Sequence, residues 1–77
     1  MNCIITSPSE TTTYTNLISI TLPAVSGEIQ IYKGHAESFI VLKKGSITLR
    51  MNDEKKINIQ IADSECYIKE NIVTIII

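Results

Sequence analysis

Ser46-Ile47-Thr48-Leu49-Arg50-Met51, a polar turn at Asn52-Asp53-Glu54, and then Lys56-Ile57-Asn58-Ile59-Gln60-Ile61 decide the fold of this chain. In both runs apolar and polar side chains alternate with a period of two, the signature of a strand with one face buried and one solvated. The polar tripeptide between them makes the pair a hairpin. Ile47, Leu49, Met51, Ile57, Ile59 and Ile61 are therefore expected to point inward.

The pattern continues outward from this hairpin. Upstream, Glu37 to Leu42 forms a strand whose run Phe39-Ile40-Val41-Leu42 is apolar enough to read as buried on both faces, and Lys43-Lys44-Gly45 breaks it. Before it, Glu28 to Tyr32 alternates between a turn at Ser26-Gly27 and a second turn at Lys33-Gly34. Leu17 to Leu22 reads as a strand with Ile18, Ile20 and Leu22 on one face and Leu17, Ser19 and Thr21 on the other. Pro23, with no amide proton, is expected to end that ladder. Thr11 to Tyr14 is a short edge strand, and Asn2 to Thr6 is an apolar run stopped by Ser7-Pro8-Ser9. Downstream, Asp63-Ser64 and Glu70-Asn71 are turns that bound strands Glu65 to Lys69 and Ile72 to Ile77. The expected fold is all-β: a small two-sheet antiparallel sandwich or flattened barrel of about eight to ten short strands.

Composition agrees. Sixteen Ile, 8 Thr, 3 Val, 3 Tyr and 1 Phe make 31 of 77 residues β-branched or aromatic, against 4 Leu and 3 Ala. Helical bundles and α/β enzyme folds lack their usual material here. Seventy-seven residues make one domain, spanning 1–77, with a single thin core. The net charge of −1, with basic residues scattered as Lys33, Lys43-Lys44, Arg50, Lys55-Lys56 and Lys69, does not form the basic stripe of a nucleic-acid binder. Nothing approaches the ~20 apolar residues of a membrane span, and Met1 to Thr6 lacks the features of a signal peptide. The lysine pairs read as protection of strand edges.

Candidate chemistry is sparse. His35 is the sole histidine, so any acid–base arrangement would have to centre on it. A turn or interface histidine is the favoured reading. Glu28 and Glu37 flank it as rim carboxylates. Cys3 and Cys66 permit a disulfide by count, but without a secretion signal they read as two reduced core thiols. One His and two distant Cys make no metal site, and glycines at 27, 34 and 45 make no phosphate loop. No cofactor is expected.

The stretch Ile20 to Ala36 resembles the N-terminal β-sandwich of the epsilon subunit of F-type ATP synthases. That family carries an apolar strand and a turn, then Gly-Glu, an apolar residue, Gly, two further apolar positions and Pro-Gly-His-Ala-Pro. Gly27, Glu28, Ile29, Ile31, Tyr32, Gly34, His35 and Ala36 match in register. Leu42 to Leu49 resembles the family's lysine, proline, glycine and strand step, and Cys66 to Ile75 its final hairpin. The similarity runs from about Asn2 to Ile77, and the Gly27–Ala36 portion is the specific part. Lys33, Glu37 and Lys44 stand where the family has prolines, Gln30 where it has a small residue, and Ser64-Glu65 where it has Gly-Gly.

The resemblance implies a non-catalytic central-stalk subunit that links the gamma subunit to the c ring at the cytoplasmic face of a bacterial inner membrane. It also implies partner contacts at Gly27, Glu28, Gly34 and His35, with Glu28 toward the c ring and His35 and its flanking strand toward gamma. The family's C-terminal helical hairpin has no counterpart in these residues, so neither ATP binding nor inhibition is expected of them. The competing expectation is an unrelated β-sandwich that binds a peptide or a sugar, which exposed aromatic side chains would favour.

Overall fold

The structure, a computed structural model, describes residues 1–77 and is built of nine strands without a helix. In chain order these are β1 Asn2–Thr6, β2 Thr11–Tyr14, β3 Leu17–Ala24, β4 Gly27–Ile31, β5 Ser38–Leu42, β6 Gly45–Met51, β7 Lys56–Ile61, β8 Ser64–Lys69 and β9 Ile72–Ile76. They form one curled sheet in the order β2-β1-β9-β8-β5-β3-β6-β7, with β4 paired to β3. The sheet folds over on itself, so β2-β1-β9-β8-β5 and β4-β3-β6-β7 face each other as the two layers of a sandwich. All neighbours are antiparallel except β1 and β9, which run parallel with Asn2 opposite Ile72 and Thr6 opposite Ile76.

The deciding hairpin forms as the alternation requires, with Ile47 opposite Ile59 and Leu49 opposite Ile57. Ile47, Leu49 and Ile61 are buried, and Met51, Ile57 and Ile59 are half-buried against the same core. Opposite them, Ile68, Val73, Ile75, Cys3 and Cys66 close the core from the other layer.

Three local expectations are corrected. First, β3 does not end at Pro23. Its ladder to β6 stops at Thr21 opposite Thr48, but its ladder to β4 continues through Pro23 opposite Glu28. Proline lacks a donor on one side of a strand only, so it can stop one ladder and leave the other intact. There β3 exchanges β6 for β5, with Ala24 opposite Leu42 and the Pro23 carbonyl accepting from Lys43 N at 2.9 Å. Gly45 makes room for the ring, since a Cβ at that position would lie 3.0 Å from Pro23 Cβ.

Second, Ile18 faces outward. The register of β3 against β6 slips between Leu17 opposite Met51 and Ser19 opposite Arg50, a β-bulge with Ile18 as the extra residue. Leu17 and Ser19 therefore both turn inward, and Ser19 Oγ is buried without a hydrogen-bond partner.

Third, β5 is buried on one face only. Ile40 and Leu42 point into the core while Phe39 and Val41 are 54% and 50% exposed. Its position in an outer layer, with nothing packed on the far side, overrides the apolar composition. Of the lysine pairs, Lys56 lies on the edge strand β7, whereas Lys43-Lys44 occupy the β5–β6 turn.

Cys3 and Cys66 are both free and fully buried. They flank β9, Cys3 opposite Val73 and Cys66 opposite Ile75, so two strand spacings put their Cα atoms on the order of 10 Å apart. That exceeds the about 7 Å a disulfide spans. Burial pushes both thiols up from 9.0 to about 12, with Cys66 adding to the effect on Cys3. Between those values the folded chain keeps protons that the unfolded chain has released, so stability must fall as pH rises.

Two measurements follow from the core. Ile47→Ala should cost about 2–5 kcal/mol in urea unfolding, and Ile59→Ala less, because Ile59 is already partly solvated; equal costs would contradict this packing. Urea midpoints should hold steady up to about pH 9 and decline from there toward pH 12. A Cys3→Ala, Cys66→Ala chain should show a shallower decline over the same window, and identical slopes would remove the thiols as its cause.

Candidate functional site

Up-and-down strands put all the turns at two ends of the sandwich. One end holds the connections at residues 7–10, 25–26, 43–44 and 62–63, and the other those at 15–16, 32–37, 52–55 and 70–71. The four residues singled out in the sequence divide between the ends. Gly27 and Glu28 begin β4 at the first, and Gly34 and His35 follow β4 at the second. The length of β4, about 13 Å at 3.3 Å per residue, keeps them apart. They are two sites.

At the first end the hairpin loop is Val25-Ser26, with Ala24 opposite Gly27 at φ +128°. Glu28 is therefore a strand residue and not part of the turn, because β3 extends far enough through Pro23 to pair with it. Its side chain is exposed on the outer face of β4, in line with Gln30 and Tyr32, whose hydroxyl donates to Gln30 Oε1 at 2.8 Å. The chain's one ion pair, Lys55 to Asp53 at 3.5 Å, lies elsewhere on the surface, so the Glu28 carboxylate is free to meet a partner.

At the second end Tyr32, Lys33, Gly34 and His35 form a tight turn in which His35 N donates to the Tyr32 carbonyl at 3.2 Å. Gly34 sits at φ +87° with open space where a Cβ would be, so glycine is needed there for backbone conformation and not for packing. His35 Nδ1 donates to the Ala36 carbonyl at 2.9 Å, and Ser38 Oγ donates to the same oxygen at 2.8 Å. The ring is tied to its own loop and meets no carboxylate, serine or cysteine that would make a catalytic pair. No three His, Cys, Asp or Glu side chains converge.

The outer faces of the two layers differ. On β4-β3-β6-β7 the outward side chains are mostly polar, Ile18 of β3 being an exception, with Thr48 Oγ1 donating to Asn58 Oδ1 at 2.9 Å and Gln60 bonded to Ser46. On β1-β9-β8-β5 they are largely apolar. One row across that sheet reads Phe39, Tyr67, Thr74, Ile4, and the next reads Val41, Glu65, Ile76, Thr6. Phe39 and Tyr67 pack with ring centroids 5.0 Å apart and planes tilted at 42°, and stay exposed, as do Val25 and Ile76. A shallow groove of about 660 Å³ between Val25, Val41, Ile76, Lys43 and Asp63 continues this face to the first end. Apolar side chains gathered on one open face are the mark of an interaction surface, for a protein, a membrane or a ligand.

Sequence reasoning missed this face because all four residues from Phe39 to Leu42 are apolar, so alternation could not show which pair points out. The signal lay one strand away. Glu65, Tyr67 and Lys69 alternate with Cys66 and Ile68, which marks the outward row that β5 must share.

A family profile described as ATP synthase, Delta/Epsilon chain, beta-sandwich domain matches residues 1–77. Among solved structures, the chain is similar to a chain of the Euglena gracilis mitochondrial ATP synthase, solved by electron cryo-microscopy as OSCP, F1 and c-ring in rotational state 1. The TM-score is 0.86 at 20% identity, over 96% of this chain and 48% of that one. It is also similar to a chain of the Tetrahymena thermophila mitochondrial ATP synthase central stalk and c-ring, with a TM-score of 0.81 at 16% identity, over 97% of this chain and 60% of that one. At these identities the likeness is one of fold, and the 77 residues span about half to three-fifths of those chains. No curated protein matches the chain in sequence.

Proposed function

Because the chain belongs to the ATP synthase delta/epsilon-chain β-sandwich family, we propose that it serves as a central-stalk subunit of a rotary proton-translocating synthase. In this role it ties the gamma subunit to the c ring and performs no catalysis of its own. The observation that carries the reading is the sidedness of the sandwich. One outer face is polar and finished, and the other presents Phe39, Val41, Tyr67 and Ile76 to whatever packs on it.

The gamma subunit is assigned to that apolar face. His35 leads directly into β5, so the loop carrying it and the apolar row form one continuous surface. The c ring is assigned to the opposite end of β4, where Glu28 is exposed and without an ion-pair partner. A rim carboxylate of that kind sets register and docking rate more than affinity, at roughly 0–1 kcal/mol. Between the two contacts stands a close-packed core that deforms little and so passes torque from one to the other.

No helix of the chain is long and apolar enough to cross a membrane, and membrane association would come through the complex. The proposed location is the cytoplasmic face of a bacterial inner membrane; both solved neighbours are mitochondrial, and fractionation of the source cell decides between the two. The alternative, a peptide- or sugar-binding sandwich, would use its exposed aromatics in a concave site. Phe39 and Tyr67 instead pack tilted against each other and line only a small depression of about 310 Å³, and no aromatic residue lines the largest groove.

Two variants test the assignment. Phe39→Ala should weaken binding to the cognate gamma subunit by about 2 kcal/mol, the scale of an interface anchor, while changing the stability of the isolated chain by only about 1 kcal/mol, the scale of an aromatic pair. Undiminished gamma binding would take gamma off this face. Glu28→Lys should leave folding and gamma binding intact yet impair coupling between proton flow and ATP synthesis in reconstituted vesicles. Normal proton pumping by that complex would remove Glu28 from the c-ring contact.

A further inference from the structure

The loop that carries His35 is held by surprisingly little of the chain around it. Residues 32 to 37 are all exposed, and their hydrogen bonds from His35 N, His35 Nδ1 and Ser38 Oγ all end within the loop or at its edge. Those bonds set its internal shape, and the Tyr32 hydroxyl on Gln30 ties the start of the loop only to β4, the strand it leaves, so neither fixes where the loop stands relative to the other strands. One bond does. Asn71 Oδ1 accepts from Gly34 N at 2.8 Å, joining positions 37 apart in sequence.

Asn71 is well placed for this task. It lies with Glu70 in the two-residue turn between β8 and β9, both with left-handed backbone, at φ 53° for Glu70 and 63° for Asn71. That pair of angles is the type I′ turn of a tight hairpin, which asparagine tolerates well. The same residue's carbonyl accepts from Asn2 N at 3.1 Å, so its backbone is anchored to β1 as well as to β8 and β9. A side chain on so fixed a mount can set the position of an exposed loop. Gly34 contributes the complementary half, since its left-handed backbone at φ +87° presents the amide to the Asn71 side chain.

We infer that Asn71 is a positioning residue for the Gly34–His35 docking loop, holding it level with β5 so that loop and apolar face meet a partner as one surface. This rests on the reading of that loop as part of the gamma contact, and adds to it a residue 37 positions away in sequence. The removal of the clamp leaves the core untouched, because every group it releases is already solvent-exposed.

The test uses two substitutions that both keep the left-handed turn. Asn71→Gly retains the backbone and deletes the acceptor, while Asn71→Asp keeps an acceptor oxygen at the same place. Amide exchange at Gly34 in the free chain should quicken by about two- to tenfold in Asn71→Gly, the range one hydrogen bond spans, and remain slow in Asn71→Asp. Affinity for the gamma subunit should fall by a similar factor in Asn71→Gly and recover in Asn71→Asp, with thermal midpoints of all three chains alike. Gly34 exchange that is the same in Asn71→Gly as in wild type would overturn the clamp. Faster exchange with undiminished gamma affinity would overturn its positioning role. Failure of the wild-type chain to bind gamma at all would instead overturn the functional reading, and the exchange measurement on the free chain would still decide whether the clamp exists.

Discussion

β3 is bonded to β4 along one side and, along the other, first to β6 and then to β5. No other strand has three partners, and the two layers are a single curled sheet only because this one strand belongs to both. The two irregularities of β3 make that possible. The bulge at Ile18 turns Leu17 and Ser19 inward and adds local twist, and Pro23 releases β6 so that β5 can take its place. Ser19 Oγ, buried without a partner, is a cost of that geometry, of the order of 1–3 kcal/mol for an unsatisfied polar group. The fold accepts it because a regular strand at this position would send Leu17 to solvent.

The regular parts of the fold were legible in the residues, and the irregular ones were not. Ile47, Leu49, Ile57 and Ile59 alternate so cleanly that strand, partner and inward face all follow from them, and Glu70-Asn71 was readable as a turn. Ile18 was placed on the wrong face because a bulge inserts a residue without leaving a compositional mark. Pro23 was read as an end when it is a change of partner, since a sequence shows that a donor is missing but not on which side of the strand. Gly27, Glu28, Gly34 and His35 come together through resemblance, and the alternation of Glu28 to Tyr32 between two turns already sets the two pairs at opposite ends of one strand. Asn71 was visible as a turn residue and invisible as a clamp, because its partner Gly34 is brought to it only by the completed sheet.

The contrast between the outer faces gives a stiff shell its direction. Hydroxyl and amide groups on β6 and β7 satisfy one another, so that side gains little from a partner. Phe39, Val41, Tyr67 and Ile76 have no such recourse. In the proposed stalk role this arrangement draws docking energy from a surface that the fold itself does not use. Interface and core can then fail independently, which is why exposed positions such as Phe39 and buried ones such as Ile47 lend themselves to separate tests.

The parallel pairing of β1 with β9 sets Asn2 beside Ile72 and Ile5 beside Ile75. These neighbours are separated by nearly all the chain between them, and loop-closure entropy must be met before their contacts form. During synthesis β1 emerges well ahead of β9 and waits for it while the seven strands between them are made. Throughout that interval one edge of β1 and one edge of β8 stand open, each flanked by isoleucine, a template for unwanted strand addition. A partner or chaperone that covered either edge would speed productive folding, and a ribosome slowed ahead of β9 would favour aggregation over assembly.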